Sequence, residues 1–233
     1  MVSISVPTQH QAISDLDLRA LADLQRQLAS QIIERQLERE PKVLVGADVH
    51  IRGRRAVAAA VAFDWHNWQV REHREVTSAA AFPYVPGYLS FREAPALIAA
   101  VRALETVPDL LFVDGQGRAH PRRFGLACHV GISLGIPTIG VAKSRLVGHY
   151  HEPGPERGAI APLVDRGEVI GMAVRTKPGA RPVFVSVGHL ITLEEAVSWT
   201  LHLTRDRLPE PARQAHLLAR RAARSQYLEH REA

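Results

Sequence analysis

Apolar residues recur every three or four positions near the start of the chain, and this spacing changes after Pro41. Over residues 14–40 the leucines and isoleucines alternate in this way with Arg, Gln and Glu, which predicts an amphipathic helix. The runs VLVGADVH, RAVAAAVAF and WQVREHREV then follow, joined by the short polar connections RGR and DWHN. They predict three consecutive antiparallel strands, and the third strand, which carries many charges, is expected to form the exposed edge of the sheet.

Strand and helix patterns alternate through the rest of the chain. A helix is predicted after PYVPGY to about Leu104, followed by a buried strand in LLFVD, a helix in FGLACHVGISLG and a strand in PTIGVAK. This alternation is typical of a sheet that is extended by parallel strands. Two further strands are predicted in EVIGMAVRT and VFVSV, then a helix with a Thr192 and Glu195 capping box, and a last helix after Pro209 and Pro211.

Length and composition restrict the class of protein. A chain of 233 residues with 46% hydrophobic content can bury one sizeable core, so we expect a single α/β domain over residues 1–233. The net charge of +5 mildly favours a polyanionic partner such as nucleic acid. No apolar stretch reaches the ~18 residues that span a bilayer, so we expect no membrane partner. Nothing in the sequence demands more than a monomer.

The cysteine content and the N-terminus indicate the compartment. The single cysteine, Cys128, cannot form an intramolecular disulfide bond. The first residues lack the basic segment, the apolar core and the small-residue cleavage site of a secretory signal. We therefore expect a cytoplasmic protein.

Two aspartates interrupt apolar strands. Asp48 lies inside VLVGADVHI and Asp114 ends LLFVDGQG, where a buried carboxylate is costly unless it is paired or binds a cation. Either residue alone is also typical of an aspartate that caps backbone amides at a turn. If the two strands are neighbours, the two carboxylates lie close together and repel each other unless a divalent cation binds. We therefore expect a site for a hard cation such as Mg²⁺.

Glu93 and His216 each allow two interpretations. Glu93 is a candidate third oxygen ligand, but Ser90 and Glu93 also match the S-x-x-E capping box of a helix N-terminus. Pro95 argues against that capping box, because it would lie beyond the first helical turn, so a helix that begins later is an alternative. His216 has two leucines beside it in the last predicted helix, and alone it is typical of a packed histidine.

The longer motifs resemble a known family. An Asp on the first strand, a Glu after the third, an Asp ending the fourth and a His on a late helix resemble the ribonuclease H-like nucleases, which use two metal ions. The segments VGADVHIRG, PYVPGYLSFRE, LLFVDGQGRAHPRRFGLACHVG, PTIGVAKSRL, VSVGHLITLEEAV and RLPEPARQAHLLAR resemble endonuclease V in order and spacing, over about residues 41–224. The resemblance implies a ribonuclease H-like core with a mixed central sheet, in which parallel strands extend three antiparallel strands, flanked by helices.

The resemblance also implies a function. It implies a Mg²⁺-dependent DNA repair endonuclease, with Mn²⁺ as a substitute, that recognises deoxyinosine, the product of adenine deamination. Such an enzyme hydrolyses the second phosphodiester bond on the 3′ side of the lesion and leaves a 3′-hydroxyl and a 5′-phosphate. Two alternatives remain, namely the same fold acting on inosine-containing RNA, and a lesion-binding protein without catalysis. The second alternative requires the loss of a metal position, and the sequence retains all three carboxylates.

The same resemblance implies roles for individual residues. Asp48, Glu93 and Asp114 match the metal-binding carboxylates, and His216 matches a late-helix catalytic position. A cation held by such carboxylates lowers the pKa of a bound water and stabilises the leaving 3′-oxygen. Lys143 matches a family lysine that can neutralise the scissile phosphate, although alone it is typical of a solvated lysine after a strand.

The segment PYVPG, residues 83–87, is here called the PYVPG loop. It matches a family wedge that enters the duplex where the damaged nucleotide leaves the stack. Its prolines reduce the entropy lost on insertion, and an aromatic ring can replace lost base stacking. By composition alone it is also typical of an apolar surface turn. The substrate-binding residues implied by the resemblance are Pro83, Tyr84, Val85, Pro86, Gly87, Leu89, Gly115, Gly117, His120 and Gly140.

The sequence gives less information about the roles of some other residues near the site. Gln116 stands where the resemblance usually places a histidine, and His120 resembles a family histidine near the phosphate or the metal-bound water. Cys128 is interpreted as a packing residue, because a metal-bound water already supplies the nucleophile. Basic residues form either a phosphate track or a solvated helix face, and only a phosphate track gives strongly salt-dependent binding. These are Arg122, Arg123, Arg213, Arg220, Arg221 and Arg224.

Overall fold

A computed structural model describes residues 17–232, with the side chains of residues 17–225. Eight strands form one sheet in the order β3-β2-β1-β4-β5-β8-β7-β6. The strands are β1 (Leu44–Arg52), β2 (Arg55–Asp64), β3 (Gln69–Ala79), β4 (Leu110–Val113), β5 (Thr138–Ala142), β6 (Ile160–Asp165), β7 (Glu168–Val174) and β8 (Val183–His189). The helices are α1 (Leu18–Ala29), α2 (Leu89–Arg102), α3 (Leu126–Leu134), α4 (Leu193–His202) and α5 (Glu210–Glu232).

The sheet is mixed, which confirms the predicted α/β class. Strands β1, β2 and β3 pair antiparallel, and β3 lies at an edge with its side chains alternately exposed. Strands β4 and β5 extend the sheet parallel to β1, as the alternation of strands and helices predicts. Beyond β5 the sheet continues with β8, β7 and β6 in antiparallel pairs.

Strand β6 was not expected from the sequence. Pro162 interrupts its apolar pattern, and proline cannot donate a backbone hydrogen bond to a neighbouring strand. The strand tolerates Pro162 because β6 is the second edge of the sheet, where one side of the backbone needs no partner strand.

Helix α1 is shorter than the predicted helix of residues 14–40. Residues 14–16 lie outside the described part of the chain, and the helix ends at Ala29. The following segment is held by tertiary hydrogen bonds, since the backbone N–H of Ile33 donates to His189 and that of Leu37 donates to Glu195. Contacts with β8 and α4 therefore override the helical periodicity, and the prediction is wrong beyond Ala29.

Helices cover both faces of the sheet. Helices α2 and α3 contribute to one buried apolar cluster and helices α4 and α5 to another on the opposite face. Thr192 and Glu195 form the predicted capping box at the start of α4. In the described part of the chain, no helix has the length and apolar character needed to cross a membrane.

A glycine allows α5 to lie directly on β1. A Cβ atom at Gly46 would overlap the backbone of Pro211 and Ala212, so any side chain there would force the helix away from the strand. Gly46 and Asp48 point to the same face of β1, because side chains alternate along a strand. The close contact at Gly46 therefore brings the following turns of α5 over Asp48.

Candidate metal and nucleic-acid site

Strand pairing brings Asp48 and Asp114 together. Strands β1 and β4 are parallel neighbours in which Ala47 pairs with Val113. The residues that follow this pair, Asp48 and Asp114, therefore lie side by side. Both side chains are mostly buried, with 12% and 13% of their surface exposed. Burial and the nearby charge of Asp114 raise the pKa of Asp48 above its ordinary value. The two carboxylates therefore repel each other, as expected for an acidic pair of this kind.

His216 joins this pair from α5. Its Nδ1 lies 2.8 Å from Asp48 Oδ2 and 4.0 Å from Asp114 Oδ2. Its side chain is 35% exposed, so the alternative of a histidine packed in the core does not hold. Among the residues that the structure describes, Asp48, Asp114 and His216 form a group whose possible ligand atoms all lie within 4.8 Å of one another.

Glu93 approaches the aspartates from α2, in the helical layer opposite α5. Helix α2 begins at Leu89 after Tyr88, so Ser90 is inside the helix and its Oγ has no hydrogen-bond partner. The Ser90 capping box and the later helix start are therefore both wrong, and α2 accommodates Pro95 in its interior.

The environment of Glu93 is electrostatically unfavourable for a charged carboxylate. Burial, and then the charges of Asp48 and Asp114, raise the pKa of Glu93 to about 7. Within the described residues Glu93 stands outside the group of three, yet it is close enough to be repelled by both aspartates.

Lys143 follows the end of β5 and forms an ion pair with Asp114 Oδ2. The side chain is 38% exposed, so its ammonium group also faces solvent at the mouth of the site. The lysine offsets part of the negative charge of the three carboxylates. It also places a positive charge beside any phosphate that binds next to Asp114.

The donor set of this site fits a hard divalent cation. Three carboxylates on neighbouring elements supply the oxygen ligands that Mg²⁺ and Mn²⁺ favour. Burial and the charges of the neighbouring carboxylates raise the pKa values of Asp48 and Glu93, and a bound cation would offset both effects. His216 offers one ring nitrogen, and its hydrogen bond with Asp48 fixes the orientation of that carboxylate.

A cleft of about 440 Å³ opens beside the carboxylates. Glu93, Asp114 and Lys143 line one part of it, and residues of the PYVPG loop line another. The remaining walls are mostly apolar, and the volume can hold a nucleobase removed from a stack. The predicted substrate-binding residues that line the cleft are Tyr84, Pro86, Gly87, Leu89, Gly115 and His120.

The PYVPG loop has one buried side and one exposed side. Val85 packs against a cluster that contains Leu21, Phe82 and Phe91. Tyr84 is 67% exposed, which is high for a large aromatic side chain. The loop therefore is anchored by Val85 and presents the Tyr84 ring to solvent at the edge of the cleft.

Four predicted substrate-binding residues are not part of the cleft lining, namely Pro83, Val85, Gly117 and Gly140. A Cβ atom at Gly140 would overlap the backbone of Gly115 and Gly117, and one at Gly117 would overlap that of Val187. These two glycines allow the loop after β4 to lie directly on β5 and β8. Their contribution to the cleft is therefore to position its floor.

His120 has no free ring nitrogen. Its Nε2 donates to the carbonyl oxygen of Gly87 at 3.1 Å, and its Nδ1 accepts from the backbone N–H of Arg122 at 3.2 Å. Burial and the charge of Arg122 lower the pKa of His120 to about 4, so the ring is neutral. The expected contact with phosphate or metal-bound water is therefore not available to His120 in this arrangement.

Half of the predicted phosphate track is held in intramolecular contacts. Arg122 donates to Gly87, Arg123 pairs with Asp165 and Glu168, and Arg213 pairs with Glu210. The exposed arginines of α5 that remain as candidates for contacts with the DNA backbone are Arg220, Arg221 and Arg224.

Burial raises the pKa of the Cys128 thiol to about 12, which agrees with a packing role.

Some site residues give little signal in the sequence. Gly46 and Gln25 act through contacts between distant elements, so no local motif marks them. Gln116 is noticeable only as a departure from histidine. Its Nε2 donates to the carbonyl oxygen of Ser144 at 2.8 Å, while its buried Oε1 has no partner.

Comparison with known proteins identifies the family. A family model described as Endonuclease V matches residues 26–217. The chain belongs to the endonuclease V family. Endonuclease V of Geotalea uraniireducens is 50% identical to it over 204 residues, which are 87% of either chain. These matches confirm the predicted family, and the homologues of endonuclease V are nucleases.

Solved structures of the family share the fold. The crystal structure of endonuclease V from Streptomyces avermitilis is 42% identical, with a TM-score of 0.85 over 91% of this chain and 95% of that one. Endonuclease V of Ciona intestinalis, in complex with a 24mer DNA containing an inosine followed by a ribo-adenosine, is 26% identical. Its TM-score is 0.79 over 89% of this chain and 98% of that one. The predicted ribonuclease H-like fold is confirmed.

Proposed function

We propose that the protein is a DNA repair endonuclease that recognises deoxyinosine and hydrolyses the second phosphodiester bond on its 3′ side. The observation that carries this proposal is the meeting of Asp48, Glu93 and Asp114 beside a nucleobase-sized cleft with an exposed tyrosine at its edge. The likeness to an endonuclease V complexed with inosine-containing DNA supports the choice of lesion. The products are a 3′-hydroxyl and a 5′-phosphate.

The carboxylates would hold Mg²⁺, or Mn²⁺ in its place. When bound, the ion supplies a water of lowered pKa and stabilises the charge on the leaving 3′-oxygen. Asp48, Asp114 and Glu93 are the proposed ligands. His216 orients Asp48 through the 2.8 Å contact between its Nδ1 and Asp48 Oδ2. Lys143, which pairs with Asp114, neutralises the scissile phosphate as it enters the site.

The cleft and the PYVPG loop would bind the lesion itself. Tyr84 stacks on the base pair beside the flipped nucleotide and replaces stacking that the departed base gives up. The flipped base enters the cleft between the loop and Gly115, where main-chain groups can reach its edge. We propose that the protein acts as a monomer and that it acts in the cytoplasm.

Cleavage of inosine in RNA is the second candidate function. Among the described residues that line the cleft, no side chain has an assigned contact with the 2′-hydroxyl, which is the group that distinguishes RNA from DNA. A preference for RNA would keep the same metal ligands and the same base pocket. The two substrates must therefore be compared directly.

Matched oligonucleotides test the proposal. Three duplexes carry one deoxyinosine, one riboinosine or no lesion, and each is incubated with Mg²⁺ or with a chelator. We expect a Mg²⁺-dependent nick one nucleotide beyond deoxyinosine, mapped at nucleotide resolution. A stronger cut at riboinosine would assign the protein to RNA, and binding without any cut would make it a recognition module.

A further inference from the structure

The carbonyl oxygen of Gly87 is a junction between three separate parts of the chain. Gln25 Nε2 lies 3.3 Å from it and His120 Nε2 lies 3.1 Å from it, and Arg122 Nη2 also donates to it. A carbonyl oxygen has two lone pairs, so three donors saturate it. Gly87 has a φ of +79°, a conformation that favours glycine at the end of the PYVPG loop.

Gln25 is a polar residue on the apolar face of α1. It is fully buried, and its neighbours on this face include Leu21 and Leu28. Its Oε1 accepts from Arg122 Nε at 2.5 Å, so the amide bonds both Arg122 and Gly87. Burying an amide is costly unless it is hydrogen-bonded, and any apolar residue would fill the same space without that cost. The hydrogen bonds therefore account for the presence of glutamine here.

Arg122 connects the junction to the residue that follows the loop. Its guanidinium lies 4.3 Å from the centre of the Tyr88 ring, and the Tyr88 hydroxyl donates to the carbonyl oxygen of Leu18 at 2.9 Å. Helix α1 therefore holds the end of the PYVPG loop through Gln25 and Arg122, and the start of α2 through Tyr88. These contacts restrict movement of the loop away from the cleft.

We propose that Gln25 and Arg122 are positioning residues that hold the PYVPG loop rigid for insertion into a DNA duplex. This inference rests on the proposed function, since it assigns the N-terminal helix to lesion recognition at the same site. A loop that yields on contact with stacked bases cannot separate them, whereas a fixed loop can. Neither residue contacts the reacting atoms. Their effect is therefore expected where a base must be unstacked, and much less in single-stranded DNA.

The test compares cleavage of deoxyinosine in duplex and in single-stranded DNA. Gln25→Leu keeps the buried volume and removes every hydrogen bond of the amide. We expect kcat/KM on the duplex to fall about tenfold or more, while kcat/KM on the single strand falls less than about threefold. Gln25→Glu, which keeps an acceptor for Arg122, is expected to recover part of the duplex activity.

Leu28→Ala is the matched control. Leu28 is also buried on α1, but it packs against Phe124 and Cys128, and its side chain has no group that can hydrogen-bond to Gly87. Leu28→Ala weakens the packing of α1. The ratio of kcat/KM on the duplex to kcat/KM on the single strand should nevertheless stay at the wild-type value. Fluorescence of 2-aminopurine beside the lesion, measured in chelator, should show less unstacking with Gln25→Leu than with Leu28→Ala.

Four results bear on the inference in different ways. An unchanged ratio in both Gln25 variants would overturn it, and so would an equal fall of the ratio in Leu28→Ala. If Gln25→Leu does not fold, the ratio measured with Gln25→Glu decides between the same outcomes. Absence of cleavage by the wild-type protein on either substrate would instead overturn the proposed function.

Discussion

His216 and Asp48 are 168 residues apart in the chain, and yet 2.8 Å separates the Nδ1 atom of one from the Oδ2 atom of the other. Helix α5 reaches Asp48 because Gly46 lets it lie directly on β1. The contact fixes one oxygen of Asp48, and the other oxygen does not take part in it. Helix α5 thus adds His216 to a site in which Asp48 lies in β1 and Asp114 follows β4.

Removing the His216 ring should weaken the site without abolishing it. His216→Ala leaves all three carboxylates in place but frees Asp48 to rotate, and the loss of such an orienting partner typically costs ~10–100-fold in metal affinity or activity. We expect a loss of this size in a Mg²⁺ titration of cleavage, partly recovered at high Mg²⁺. Activity equal to wild type at low Mg²⁺ would contradict the orienting role.

Glu93→Gln should change the stability of the metal-free protein in a pH-dependent way. Folding raises the pKa of Glu93 from its ordinary 4.5 to about 7, so the folded state holds the proton more tightly than the unfolded chain. The resulting penalty on folding is absent below pH 4.5, grows as the pH rises and is complete above about pH 7. In chelator, we therefore expect Glu93→Gln to raise Tm more at pH 8 than at pH 5.

Glu93→Gln should gain less thermal stability from Mg²⁺ than the wild-type protein gains. A cation relieves the repulsion among the carboxylates, and Glu93→Gln removes one proposed ligand. The increase of Tm on adding Mg²⁺ at pH 8 should therefore be smaller for the variant than for the wild-type protein. Thermal unfolding at pH 5 and pH 8, with and without Mg²⁺, measures both effects. An equal Mg²⁺ shift in the two proteins would exclude Glu93 from the metal site.

Tyr84→Ala should reduce discrimination between damaged and undamaged DNA. The exposed ring is assigned to stacking, which is worth roughly 1–3 kcal/mol per base on an aromatic side chain. Binding measured in chelator should weaken by about this amount for a deoxyinosine duplex and much less for an undamaged duplex. Tyr84→Phe keeps the ring and should behave like the wild-type protein. Equal losses on both duplexes would refute the stacking role.

Gly46→Ala should affect both stability and cleavage. The new Cβ atom would overlap the backbone of Pro211 and Ala212, and overpacking of this kind typically costs ~1–3 kcal/mol or more. Displacement of α5 would also move His216 away from Asp48. We expect a lower Tm together with reduced cleavage in the folded variant. A variant with the wild-type Tm and activity would show that the close packing at Gly46 is not required.

Local patterns in the sequence were sufficient for most elements of the fold. The apolar, β-like runs VLVGADVH and RAVAAAVAF predict β1 and β2, and the aspartates stand out because they interrupt apolar runs. The order of elements predicts that parallel strands extend the sheet, and the observed pairing of β4 with β1 is what brings Asp48 and Asp114 together. Family resemblance added His216 and Glu93, whose local sequence fits ordinary structural roles as well.

What could not be predicted depends on contacts between distant segments. The helical pattern continues past Ala29, but hydrogen bonds from Ile33 to His189 and from Leu37 to Glu195 end the helix. The burial of Gln25 could not be predicted from the sequence either, because glutamine is common on exposed helix faces. Its partners Gly87 and Arg122 are 62 and 97 residues away in the chain and become its neighbours only in the folded protein.

We propose that the carboxylate group cleaves DNA beside deoxyinosine through a bound cation. The most direct test is single-turnover cleavage of a deoxyinosine duplex with Mg²⁺ by the wild-type protein and by Asp114→Asn, with binding of both measured in chelator. This mechanism predicts a nick one nucleotide beyond the lesion by the wild-type protein. For the variant it predicts near-wild-type binding with cleavage lowered by a factor on the order of 10³ or more. Cleavage by Asp114→Asn at a rate near that of the wild-type protein would contradict it.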